Sequence, residues 1–248
     1  MTVGSRLMFD PFGDFATAGN LRNTAAEKDL TLVKVAEHAL FRAQLPQALT
    51  FLARCPRIGY DDFLAVHRIL FGGLYPWAGT DRVELIPDKA ITKGDVYFCH
   101  PRDCRRAIED GLARAQERGQ MADRPGLIMG LFAYGHPFLD GNGRTMLLVH
   151  AELCRRAGMS VDWTRTRKDD YLRALTREIE DPNGGHLDAY LVPFIGAVIP
   201  REHWEASVAA LPGLDGADIP DDTAAGYADP AVAEGYAAFE RKRDYPLP

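Results

Sequence analysis

Long apolar runs are missing from this 248-residue chain. No stretch approaches the ~18–20 residues needed to cross a bilayer as a helix, which argues against a helical membrane protein and against a membrane partner. Residues 1–14 also lack a basic segment followed by continuous apolar residues, so no secretory signal is expected there. Cysteine is scarce. Cys55, Cys99, Cys104 and Cys154 are too few and too irregularly spaced for a disulfide framework. Cys99, His100 and Cys104 lack a fourth ligand at a recognised zinc spacing. These absences favour a reduced, cytoplasmic protein and leave export by a signal-less route open.

An excess of positive charge is missing too: the net charge is −6. Residues 201–248 hold ten acidic and four basic side chains and therefore carry all of it, leaving a neutral body and an acidic tail. That distribution offers no electrostatic basis for gripping a nucleic-acid backbone. Arg165, Arg167, Lys168, Arg173 and Arg177 do cluster, but Asp162, Asp169, Asp170, Glu178 and Glu180 alternate with them. Such alternation marks a solvated helix face, not the recognition helix of a DNA-binding regulator.

What is present is mostly helical periodicity. Leu32, Val35, Ala36, Ala39 and Leu40 predict a first long helix over 27–52, and Phe63, Val66, His67 and Leu70 a second over 60–70, with Asp61 or Asp62 placed to cap it. Glycine and proline then break the pattern from Phe71 to Gly79. Over 81–99 the apolar residues Val83, Leu85, Ile86, Ile91, Val96, Tyr97 and Phe98 predict a short extended hairpin. Helices are expected again at 101–118, 124–134, 143–157, 167–180 and 186–199, and loose order over 211–229, which is rich in Asp, Gly, Pro and Ala. The expected architecture is all-α with one small β-hairpin. It divides into an irregular segment at 1–26, a central domain at 27–200 and an acidic tail at 201–248, partly helical or loosely ordered.

Between two of these helices stands His136-Pro-Phe-Leu-Asp-Gly-Asn-Gly-Arg144. Glycines around an asparagine at a helix start let backbone N–H groups approach an anion closely. Arg144 in a first turn opposes the helix dipole unless an anion shares the site. Asp140 is a hard carboxylate of the kind that holds Mg²⁺, and His136 is of the residue type whose unperturbed pKa, near 6.5, suits a general base. Taken singly, each has a plain structural reading: a histidine beside proline, an N-cap aspartate, a Gly-Asn-Gly turn. Base, metal carboxylate and anion cradle within nine residues make a kit for phosphoryl or nucleotidyl transfer.

The same nine residues match the signature HPFx(D/E)GN(G/K)R at every defined position, and so resemble the Fic family. The stretch from Leu70 to Gly79 is similar to the family's segment before its flap, and Ile91-Thr-Lys-Gly94 with Phe98 resembles the flap itself. The resemblance covers roughly residues 30–200. It implies a helical bundle with a β-hairpin flap over the active site. It also implies that His136 takes the proton from a Ser, Thr or Tyr hydroxyl of a target protein. Asp140 would hold Mg²⁺ on the phosphates of ATP or another nucleotide, Gly141, Asn142 and Gly143 would form the anion hole, and Arg144 would grip the phosphate chain. Phe138 would be a structural anchor, and Ile91, Thr92, Lys93 and Gly94 would pair with an extended segment of the target. The implied product is an AMP-modified protein.

Two departures from the family pattern bear on the donor and on restraint. Where ATP-using members carry a second arginine, this chain has Leu147. The restraining pattern (S/T)xxxE(G/N) has no match: after Thr176-Arg-Glu-Ile-Glu180 comes Asp181, and before Glu234-Gly235 stands Pro230. These departures suggest a donor other than ATP, with UMP or phosphocholine transfer as precedents. They also suggest either no built-in inhibition or an antitoxin-like inhibitor protein. A nucleotide-binding regulator without turnover is the alternative from a different class.

Overall fold

The computed structural model describes residues 22–200, 203–204, 206 and 222–248. Its first helix, α1 (Leu30–Arg54), starts at Asp29, whose carboxylate accepts from the amides of Thr31 (2.8 Å) and Leu32 (3.3 Å). These are first-turn donors with no partner inside the helix. α1 buries Val33, Phe41, Leu45 and Leu52, together with Glu37, and packs on α2 (Tyr60–Phe71). Asp62 closes the start of α2 by accepting from the Gly59 N–H at 2.8 Å.

The stretch expected to be one hairpin is divided. Asp81 accepts from the Glu84 N–H at 3.2 Å and begins a single helical turn, α3 (Arg82–Leu85). This local capping bond overrides the apolar pattern at Val83 and Leu85. The hairpin is confined to β1 (Lys89–Lys93) and β2 (Val96–Tyr97), with Thr92 opposite Tyr97 and Lys93 opposite Val96.

A 3-10 turn at Pro101–Asp103 leads into α4 (Cys104–Ala115) and the short α5 (Gln120–Asp123). Next comes α6 (Pro125–Gly135), every residue of which is buried. A helix apolar on all sides belongs at the centre of a bundle, and α6 contacts α4, α7 (Asn142–Arg156), α8 (Lys168–Glu180) and α9 (His186–Leu191). A Cβ on Gly126 would lie 2.2 Å from the Asp188 amide nitrogen, so only glycine lets α9 start against α6.

The helix expected over 186–199 stops at Leu191. Pro193 cannot donate to a continuing helix, and Ile195–Gly196 (β4) pairs instead with Ser160–Val161 (β3). Of the segment expected to be loosely ordered, 211–221 lies outside the described residues. Asp222–Gly226 forms a strand, β5, that pairs with β1, so one sheet runs β2-β1-β5. α10 (Pro230–Arg243) then docks on the bundle. Its Arg243 guanidinium sits 3.6 Å above the Tyr134 ring and donates to the Ile179 carbonyl at 3.1 Å. Among the described residues no helix is long and apolar enough to cross a membrane.

Two histidines sit in this core with no exposure, His67 and His150. The Gly79 N–H donates to His67 Nδ1 at 2.8 Å, so Nε2 carries the proton and donates to the Asp140 carbonyl at 3.0 Å. His150 Nε2 donates to the Pro125 carbonyl at 2.8 Å. Burial pushes their pKa values down to about 3 and about 4. Both lie below the ordinary value, so as pH falls the unfolded chain takes up protons that the folded chain refuses. The stability they contribute is complete above pH 7 and is lost as pH falls from about 6.5 toward those values. Denaturant unfolding at pH 7 and pH 5 is expected to give a loss of roughly 2 kcal/mol per histidine. His150→Gln is expected to remove about half of that pH dependence, and an unchanged dependence would contradict the assignment.

Candidate active site

His136 ends α6 in the left-handed region, φ +40°, a conformation that costs a non-glycine residue roughly 1–2 kcal/mol. Its neighbours hold it there. The imidazole stacks on Phe98, with centroids 3.7 Å apart and planes at 15°, and the residue is only 6% exposed. Its carbonyl accepts from Arg82 Nε at 2.6 Å.

Arg82 is fully buried. Besides His136, it donates to the Cys99 carbonyl (2.8 Å) and to Cys104 Sγ (3.2 Å), and its own amide donates to the Pro137 carbonyl (2.8 Å). One side chain thus ties the His136 loop to the end of the hairpin and to the start of α4. Burial alone would raise the Cys104 thiol pKa, but the Cys99 thiol and the Arg82 guanidinium together pull it below its ordinary value. Cys104 accordingly acts as the acceptor of the pair.

The rest of the loop is closed by its own residues. Phe138 is fully buried, stacked on His67 (3.7 Å between centroids) and on Phe63 (6.0 Å). Asn142 Oδ1 accepts from the Phe138 N–H at 2.9 Å, and Asn142 Nδ2 donates to the Phe138 carbonyl at 2.8 Å. Its side chain therefore fixes the loop. Gly141 has φ +75°, and a Cβ there would lie 2.6 Å from the Phe71 ring. A Cβ on Gly143 would meet nothing within 4 Å, so the first turn of α7 opens onto free space.

A chain of charges lies beside that space. Asp140 Oδ1 accepts from the Gly141 N–H at 2.6 Å, and Oδ2 pairs with Lys34 Nζ at 3.0 Å. Arg144 is ion-paired with the fully buried Glu37, which also accepts from the Tyr75 hydroxyl. The Arg144 guanidinium lies 4.7 Å from the Phe71 ring centroid and 3.8 Å from Asp140. Burial would raise the Asp140 pKa, but Lys34 and Arg144 hold it below the usual carboxylate range. Burial would likewise lower Lys34, and Asp140 and Glu37 carry it above its ordinary value.

These residues suit an anion and a magnesium ion. Arg144 Nη1 is buried without a hydrogen-bond partner, a donor at the mouth of a helix N-terminus. Asp140 would be the one protein ligand of a Mg²⁺ held mainly by phosphates and water, which must share or displace Lys34.

His136, Phe138, Asp140, Gly141, Asn142, Gly143 and Arg144 are thus gathered on one loop and helix start. Ile91 is buried, and Thr92, Lys93 and Gly94 lie on the neighbouring hairpin. The outer edge of that hairpin, where the sequence suggests a target strand, carries the chain's own β5. Lys34, Glu37, Tyr75 and Arg82 were not anticipated. For Glu37 a signal existed: it stands four residues after Val33 and four before Phe41, on the buried face of α1. Arg82 had no comparable signal.

Residues 57–154 match the model of the Fic/DOC family. The protein adenylyltransferase VbhT of Bartonella schoenbuchensis is 31% identical over 119 residues, 46% of this chain and 24% of VbhT. This chain therefore spans about a quarter of the length of that relative. The probable protein adenylyltransferase y4lH of Sinorhizobium fredii is 29% identical over 166 residues, 63% of this chain and 82% of y4lH. The fold is similar to that of an ADP-bound Fic domain of a Bep effector from Bartonella quintana, with a TM-score of 0.59 at 19% identity, covering 74% of this chain and 94% of that one. It is also similar to AMPPNP-bound BepC of Bartonella tribocorum, with a TM-score of 0.54 at 18% identity, covering 71% and 92% of the two chains. The part of the chain that matches the Fic/DOC family thus runs from just before α2 to near the end of α7 and includes the His136–Arg144 loop.

Proposed function

We propose that this chain transfers AMP from a nucleoside triphosphate to a hydroxyl of a target protein, with His136 as general base. The observation that carries the reading is one loop that presents a rigidly stacked imidazole, the open face of Gly143 and the unpartnered Arg144 Nη1 together. The two adenylyltransferases to which the chain is similar support the same reaction class.

In this mechanism the target oxygen attacks the α-phosphorus, its proton passes to His136, and the bond to the β-phosphate breaks to release pyrophosphate. A positioned base of this kind typically contributes 10²–10⁴-fold. Arg144 and the first-turn amides of α7 would bind the phosphates, and Mg²⁺ on Asp140 would neutralise part of their charge. Nucleotide has to compete with Glu37 for the Arg144 guanidinium.

Leu147 favours a second reading, transfer from a donor other than ATP. It is partly buried against the core and supplies no charge where a second arginine would stand. Losing one charge-assisted contact is worth roughly 1.5–3 kcal/mol. Purified protein incubated with Mg²⁺ and ATP, UTP, GTP, CTP or CDP-choline, then read by intact mass, separates the readings. The expected result is an AMP-sized increment from ATP on the enzyme or an added protein, absent in His136→Ala. An increment from another donor alone would select the second reading. Bound nucleotide with no transfer from any donor would contradict both.

Arg82 is a positioning residue in this mechanism, because it reaches His136 only through the carbonyl. Misplacing a reacting group by about 1 Å costs on the order of 10²-fold. Arg82→Met is expected to lower the transfer rate roughly 10- to 100-fold while nucleotide affinity stays within about twofold, and Arg82→Lys should recover part of the rate. Equal loss of affinity and rate would contradict that role.

A further inference from the structure

The hairpin β1–β2 has one outer edge on β1, and β5 occupies it. Lys89 faces Gly226, Ile91 faces Thr223 and Thr92 faces Asp222, with a register irregularity between Lys89 and Ile91. The Tyr227 N–H donates to the Asp88 carbonyl at 2.8 Å and extends the pairing by one bond. The occupant is Asp222-Thr-Ala-Ala-Gly226. Aspartate, alanine and glycine are all depleted in strands, whose stability comes mainly from side-chain packing across the sheet. Composition thus gives β5 low strand propensity, and the irregular register interrupts its ladder on β1.

The chain just after β5 is fixed by contrast. Asp229 starts α10 by accepting from the Ala231 N–H at 2.9 Å. The Tyr236 hydroxyl accepts from the His100 N–H at 3.1 Å, and Phe239 lies 6.1 Å from the Tyr97 ring. A Cβ on Gly235 would lie 2.5 Å from the Tyr97 hydroxyl, so α10 sits directly on β2. A weak strand is thus tethered at its C-terminal end beside the edge it covers.

We propose that β5 is a built-in stand-in for the strand of a target. A target protein docks by replacing residues 222–226 on β1 with an extended, hydroxyl-bearing segment of its own. This rests on the function proposed above and adds regulation to it. A short tether keeps β5 at an effective concentration in the millimolar range. Segments that bind β1 more weakly than this are excluded, whereas one rich in β-branched or aromatic residues displaces it. The chain's own segment thus supplies a restraint on access to the site, one that acts on the target side, away from Arg144.

The test compares the full chain with Thr223→Pro/Ala224→Pro, which removes an N–H from each set of alternate strand amides so that β5 cannot pair in either register. A synthetic peptide copying residues 219–229 is the probe, and amide hydrogen exchange of residues 89–93 is the readout. In the variant these amides are expected to exchange at least tenfold faster, and millimolar peptide is expected to restore their protection. The wild type should ignore the peptide. Unchanged exchange in the variant, or no restoration by the peptide, would overturn the proposal and leave β5 as simple cover for a sheet edge. Should the proline variant not fold, Ala224→Gly/Ala225→Gly is expected to give the same signs with a smaller increase. Exchange needs no catalysis, so failure of the donor assay with success here would remove the transferase reading and leave the exchangeable strand standing.

Discussion

The ion pair between Glu37 and Arg144 is the constraint around which the site is built. A guanidinium this deeply buried needs a counter-charge, since removing one partner of a buried pair typically costs about 3–5 kcal/mol. The counter-charge comes from α1, more than a hundred residues away in sequence, and it fastens that helix to the start of α7. Lys34, one helical turn before Glu37, extends the same network to Asp140. The loop from His136 to Arg144 is therefore held by α1 on one side and by the stacked pair His67 and Phe138 on another. Its charges are arranged before any ligand arrives.

The left-handed conformation of His136 belongs to the same account. Strained backbone persists where surrounding structure over-determines it, and here three independent contacts do so: Phe98 on the ring, Arg82 on the carbonyl and Asn142 closing the loop ahead. Arg82 also reaches Cys99 at the end of the hairpin. His136 and the end of the hairpin are thereby fixed to one another through a single side chain, which under the proposed function would give target docking and proton transfer one rigid frame.

Much of this was legible in the sequence. The helices around His136–Arg144 stand close to where the sequence places them, α6 as a continuous apolar stretch and α7 with one apolar face. The loop itself was readable because its residue types are rare in combination. What was not legible depends on chain segments distant in sequence. Arg82 reads as a surface residue of a strand until Asp81 caps a helical turn and turns it inward. Glu37 could be read as a charge on the buried face of α1, but its partner Arg144 could not, because α7 brings it from 107 residues away. β5 carries no strand signal at all, because Asp-Thr-Ala-Ala-Gly pairs through its main chain, which composition does not encode. Pro193 is the sequence signal for the helix end at Leu191, which the expected span of 186–199 passes over.

The central claim is that Arg144 is the phosphate grip, with Glu37 as its resident counter-ion. Titration calorimetry of a non-hydrolysable nucleoside triphosphate with Mg²⁺ tests it most directly. The comparison is wild type, Glu37→Gln, and the charge-neutral pair Glu37→Gln/Arg144→Gln, which avoids stranding a buried charge. The account predicts that Glu37→Gln binds at least as tightly as wild type and that the double variant binds roughly 10- to 150-fold more weakly, the loss of one charge-assisted contact. Equal affinity of the double variant and Glu37→Gln would contradict it.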